Sequence, residues 1–114
     1  MNALKNSVRL IGHLGDTPKV RKLESGKTVA NFSIATNEIY RDSNGEKQSE
    51  TTWHRLVAWG KQAEIVENYL RKGSEIAIEG KLTNRSYDDK NGVKQYITEI
   101  LVNSLLMLDK NSNN

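Results

Sequence analysis

Apolar residues recur at every second position through most of this chain, and the period changes only once, over residues 61–72. A period of two puts one face of a strand in a core and the other in water, so it demands sheet. Val8, Leu10 and Leu14 alternate with Arg9, Ile11 and His13 until Gly15-Asp16-Thr17-Pro18 makes a turn. A short run at 19–23 leads through Glu24-Ser25-Gly26-Lys27, which reads as a hairpin, into Ala30, Phe32 and Ile34 alternating with Val29, Asn31, Ser33 and Ala35. An Asn-Gly turn within residues 42–46 separates this strand from another at 51–60. There Trp53, Arg55, Val57 and Trp59 share one face, and His54, Leu56 and Ala58 share the other.

Over residues 61–72, Ala63, Val66, Tyr69 and Leu70 fall on one helical stripe. Glu64 and Glu67 lie early, Arg71 and Lys72 lie late and Gly73 follows, an order that suits the helix dipole and a left-handed C-terminal cap. Period two then resumes, with Ile76, Ile78, Gly80 and Leu82 inward and Glu75, Ala77, Glu79 and Lys81 outward. Continuing the alternation places Arg85 and Tyr87 outward. A second Asn-Gly turn at 91–92 precedes a last strand over 94–108, with Tyr96, Thr98, Ile100 and Val102 in phase. No internal repeat stands out. The order predicts an all-β protein: a five-stranded Greek-key barrel with one α-helix between the third and fourth strands, the layout of the oligonucleotide/oligosaccharide-binding (OB) fold.

The 114 residues fit one domain, expected over 1–108, with a short polar tail at 109–114. Cysteine is absent, which removes disulfides, thiolate metal sites and thiol nucleophiles together. No apolar run is long enough for a membrane helix, and Arg9 and His13 interrupt the stretch near Leu10, so neither a span nor a secretory leader is expected. A cytoplasmic setting is the expectation. Net charge is +3, concentrated early: six basic residues oppose two acidic ones in positions 1–30. Such a face favours a polyanion, although charge alone does not specify one.

A protein that holds single strands without reading sequence needs flat apolar rings for bases and cations for phosphates. Trp53 and Trp59 stand six residues apart on one strand face, roughly 20 Å, with Arg55 between them. Tyr87 with Arg85, and Tyr40 with Arg41, repeat the pairing. The alternative for each tryptophan is to plug the barrel, the commoner fate of a large aromatic. Phe32, Tyr69 and Tyr96 lie in phase with apolar neighbours and are assigned to packing. Arg9, Lys19, Arg21, Lys22, Lys61, Arg71, Lys72 and Lys81 are candidate phosphate contacts or simply solvated surface. Two histidines without metal spacing, and no nucleophile with a partner, argue against catalysis, and no cofactor or metal is expected. An RNA-binding OB module, an oligomerisation domain with interfacial aromatics and, last, a nuclease remain as other readings.

Several segments are recognisable. VRLIGHLGDTP at 8–18, VANFSIAT at 29–36, WHRLVAWGK at 53–61, YLRKGS at 69–74 and IEGKL at 78–82 resemble, in order, the core of bacterial single-stranded DNA-binding proteins. The resemblance spans roughly residues 5–108. It implies an OB-fold core assembled as a homotetramer that protects single-stranded DNA in replication, recombination and repair. It also implies base stacking on Trp53 and Trp59 and, where the family carries tryptophans, on Tyr40 and Tyr87. Phosphate contacts are expected from Arg9, Arg21, Arg41, Arg55, Lys61, Arg71, Lys72 and Arg85, and a subunit contact from His54. Family members usually continue into a flexible linker with an acidic tip. This sequence ends Asn111-Ser112-Asn113-Asn114, so recruitment of repair proteins through such a tip is not expected.

Overall fold

The computed structural model describes residues 5–108; the polar tail expected at 109–114 lies outside them. The order is β1 (Val8–Leu14), β2 (Lys19–Lys22), β3 (Thr28–Arg41), β4 (Lys47–Trp59), α1 (Lys61–Tyr69), β5 (Glu75–Asp88) and β6 (Lys94–Met107). Neighbours run β1-β5-β6-β4-β3, and β1 pairs with β3 again, which closes five strands into a barrel. β2 is added outside, antiparallel to β3. One closing seam is short and parallel, with Leu56 opposite Ile100 and Val57 opposite Leu101. Closure leaves the barrel few free strand edges to recruit other chains.

The inward phase of each strand fills the interior: Leu14, Ala30, Phe32, Ile34, Leu56, Ala58, Ile76, Ile78, Ile100 and Val102 form one cluster with Ala63, Val66 and Leu70. Ile34, Leu56, Ile76 and Val66 are essentially sealed, each worth about 1.5–3 kcal/mol relative to exposure. α1 packs on β3, β4 and β6.

The helix is shorter than its periodicity predicts. It ends at Tyr69, and Leu70 has extended backbone at φ −101°, ψ 142°. Leu70 therefore reaches the core from beyond the helix, while Tyr69, a packing residue by phase, is 61% exposed. The apolar stripe follows 63, 66 and 70, and residue 69 falls just off it. Arg71 and Lys72 stand outside the last turn and do not serve the helix dipole. Gly73 (φ +91°) is not the helix cap; it belongs to a turn in which the Ser74 amide donates to the Arg71 carbonyl at 3.0 Å.

The β3–β4 and β5–β6 hairpins run past the barrel as two-stranded arms, and this corrects three further expectations. Leu82 and Thr98 continue the inward phase yet are exposed, and Tyr96, assigned to packing, is 74% exposed. An arm has no opposing layer, so the inward phase there meets water.

The arms also reveal a repeat that is too short to stand out in the sequence. Residues 36–51 and 83–98 match at nine of sixteen positions, offset by 47: Thr36/Thr83, Asn37/Asn84, Tyr40/Tyr87, Asp42/Asp89, Asn44/Asn91, Gly45/Gly92, Lys47/Lys94, Gln48/Gln95 and Thr51/Thr98. The bonding repeats too. Thr51 donates its hydroxyl to Asn37 Oδ1 at 2.6 Å, and Thr98 to Asn84 Oδ1 at 2.8 Å. Asp42 Oδ1 accepts the amides of Asn44 and Glu46, and Asp89 Oδ1 those of Asn91 and Val93, all at 2.9–3.0 Å. Gln48 and Gln95 donate to the second oxygen of each aspartate at 3.0 Å. Gly45 and Gly92 both hold φ +78°, the left-handed position that closes a three-residue hairpin loop.

Candidate nucleic-acid interface

The outward face of β4 presents Trp53, Arg55 and Trp59, while His54, Leu56 and Ala58 point toward the interior. Register with β3 sets Ala35 beside Trp53, Ser33 beside Arg55, Asn31 beside Val57 and Val29 beside Trp59. These β3 partners are small or only moderately bulky, so the rings and the guanidinium stand proud of the sheet. Trp59 is 43% exposed and Trp53 is 60% exposed. The six-membered end of the Trp53 indole rests on Gly15; a Cβ at that position would collide with its Cζ3 and Cη2 atoms. Gly15 is thus the seat on which one end of the ring lies. The alternative of both indoles plugging the barrel is not what the fold shows.

β2 forms one wall. Its register places Arg21 beside Val29 and Lys19 beside Asn31, so Arg21, Val29 and Trp59 make one cross-strand row, and Lys19, Asn31 and Val57 the next. The base of the β5–β6 arm forms the opposite wall with Thr83, Arg85, Glu99 and Leu101. Two open clefts result, one holding Asp16, Lys19, Arg55 and Arg85, the other Arg21, Trp59 and Arg85, with Asn31 and Glu99 common to both. A third cleft beside them collects Trp53, Arg55 and Glu99. Four cations thus face two carboxylates along a continuous channel, which suits a polyanion. Arg85 Nε donates to Glu99 Oε1 at 2.9 Å, and Glu99 is only 8% exposed.

The structure brings together Trp53, Trp59, Lys19, Arg21, Arg55 and Arg85 of the residues singled out from sequence. The others lie elsewhere. Tyr40 and Tyr87 are exposed on the two arms. Tyr40 pairs with Gln48 and follows the sheet face of Thr36 and His54, opposite Trp53; Tyr87 follows the face of Arg85. Arg9 is engaged with Glu79 across β1 and β5, its Nη2 at 3.0 Å from the carboxylate. Arg41 donates to the Gly45 carbonyl at 2.8 Å, within its own loop. Lys61 opens α1, and Arg71 and Lys72 sit in the turn after it. His54 is half-buried, and its Nε2 is 3.0 Å from the Thr36 hydroxyl. Asn31 and Glu99 were not anticipated. Glu99 falls in the outward phase of an apolar strand, a cue that is visible only once the β5–β6 register is known. Among the described residues, no cluster of three or more metal-ligating side chains occurs, and no helix is long and apolar enough to cross a membrane.

The model of the single-strand binding protein family matches residues 5–108. Single-stranded DNA-binding protein 1 of Chlorobaculum tepidum is 52% identical over 104 residues, covering 90% of this chain and 64% of that protein, so the chain spans less than two thirds of that relative. Among solved structures, the Plasmodium falciparum SSB complex with ssDNA superposes with a TM-score of 0.83 at 38% identity, over 91% of this chain and 95% of that one. A deletion mutant of the single-stranded DNA binding protein from Thermus aquaticus gives 0.79 at 29% identity, over 91% of this chain and 50% of that one. With the sequence match running through every strand and the helix, this chain belongs to the single-strand binding protein family.

Proposed function

We propose that this chain binds single-stranded DNA without reading its sequence and protects it during replication, recombination and repair, with no catalytic step. The reading rests on three adjoining open clefts that are lined by arginines and by two exposed indoles, Trp59 in one and Trp53 in another, and that together make a cationic channel. Bases lie on Trp53 and Trp59, the main platforms, and on Tyr87 and Tyr40 as smaller flanking ones. Arg21, Arg55 and Arg85 hold phosphates, with Lys19 beside them; Arg9, Arg41, Lys61, Arg71 and Lys72 act at most on strand that leaves the channel. The solved complex with ssDNA and the family match support the same ligand.

The barrel is taken as the Greek-key OB fold, with α1 capping it between the third and fourth long strands. The working form is a homotetramer on exposed strand in the cytoplasm, with His54 near a subunit contact. Light scattering checks the assembly. Titration with oligo(dT) checks the function: tryptophan fluorescence should be quenched, and binding should weaken as salt rises because phosphate contacts release counterions. Absence of quenching by any length of oligo(dT) would refute the reading.

A further inference from the structure

Glu99 is a carboxylate set into the wall of a channel that must accept a polyanion, and it borders all three clefts. Its residue is 8% exposed, where an unpaired charge is costly. Arg85, on the neighbouring strand, supplies the partner through Nε, one of five N–H donors in its fork. The terminal nitrogens of Arg85 remain for another anion, and its side chain is half exposed. In the matched arm the equivalent positions are Glu38 and Thr52, so the pair belongs to the arm that lines the channel and not to the shared hairpin framework.

We propose that Glu99 is a positioning residue and a charge brake for strand binding, an inference that rests on the function proposed above. The bond to Nε holds the Arg85 fork toward the channel, which removes part of the ordering cost of a long side chain when a phosphate arrives. The same carboxylate cancels part of the guanidinium charge, so the contact releases less counterion than a free arginine would. The channel then grips strand through stacking and geometry more than through net charge. That balance keeps a protein that coats strand displaceable.

Glu99→Gln keeps the shape and an acceptor oxygen for Nε but removes the charge. In oligo(dT) titrations over a salt series, this variant should bind roughly fivefold tighter at moderate salt. Its slope of log affinity against log salt should steepen by about 0.7, the value of one extra phosphate on a single strand. Glu99→Asp keeps the charge but falls short of Nε, so it should bind roughly twofold to threefold more weakly at an unchanged slope. An unchanged slope for Glu99→Gln, or weaker binding by it, overturns the brake. Unchanged or tighter binding by Glu99→Asp overturns the positioning role. If the unaltered protein fails to bind oligo(dT), the function itself fails; if it binds and the variants behave alike, only the role of Glu99 does. Thermal melts of both variants separate folding loss from binding, since a purely structural role moves the melt and leaves the slope.

Discussion

The β3–β4 and β5–β6 arms share a framework and differ in what they display. The common residues are those that hold a hairpin together: the Asp42 and Asp89 loop acceptors, the Asn-Gly tips, the glutamines that return to the aspartates and the Asn–Thr bonds across the strands. The differing residues lie on both faces of each ribbon, and nearly all are exposed. Residues 36–51 carry four acidic and two basic side chains, and residues 83–98 carry two acidic and three basic ones. The arms also enter the barrel with opposite faces inward. Position 53 in the first arm corresponds to position 100 in the second, yet Trp53 is exposed in the channel and Ile100 is 4% exposed in the core. One hairpin design thus faces the core with one register and the open channel with the other, because a shift of face exchanges the two sets of side chains.

Ile100→Ala and Trp53→Ala should therefore fail in different ways, and this is the largest effect expected. Loss of the Ile100 side chain leaves a cavity beside Leu56, and chemical denaturation should show about 2–5 kcal/mol of lost stability. Trp53→Ala should leave stability nearly unchanged and weaken oligo(dT) binding by roughly 1–3 kcal/mol, with a further loss in the Trp53→Ala, Trp59→Ala double variant. If Trp53→Ala destabilises as much as Ile100→Ala, the exposed platform is in fact a core residue and the contrast between the arms collapses.

Next in size is the tyrosine pair. Tyr87 shares its sheet face with Arg85, while Tyr40 lies on the face opposite Trp53. Fluorescence titration should show Tyr87→Ala weakening strand binding roughly fivefold, toward the low end of what one stacked base contributes, and Tyr40→Ala by less. Equal losses would show that both arms wrap the strand alike and that the difference in face does not matter.

Much of this arrangement was legible in the alternation itself. Placing Trp53, Arg55 and Trp59 on one face and Leu56 and Ala58 on the other needs only the period of a strand, and the barrel keeps both sets where that period puts them. Periodicity says which side chains share a face, but not where a strand leaves its sheet partners behind. Leu82 and Tyr96 keep the phase of Ile78 and Ile100 and are nonetheless exposed, because the barrel ends before them. The end of α1 was lost for a related reason: Tyr69 and Leu70 are both compatible with a helical stripe, and only the turn at 71–74 decides which one goes inside. Charges were the least legible. Arg9 is tied to Glu79, and Arg85 to Glu99, by cross-strand neighbours some 70 and 14 positions away in the chain, so neither partner is marked by local pattern.

The smallest expected effect tests whether the two loops are as alike as their bonds. Asp42 has its carboxyl held below the usual value of 3.8, chiefly by the amide of Glu46; desolvation opposes this, and the Gln48 side chain and the Asn44 amide add smaller lowering contributions. Asp89 is lowered in the same way, by the amide of Val93, the Gln95 side chain and the Asn91 amide. Those donors favour the ionised form. A depressed carboxylate contributes its stabilisation fully above 3.8, and that contribution is lost as pH falls through the lower, folded-state value. Both loops should therefore stay closed at neutral and mildly acidic pH and loosen together only below 3.8. An NMR titration of the two carboxyl groups, with the Gly45 and Gly92 amides as reporters, should give midpoints below 3.8 for both. A midpoint at or above that value for one aspartate alone would show that its loop is not held by the shared bonds, and that the arms differ in framework as well as in display.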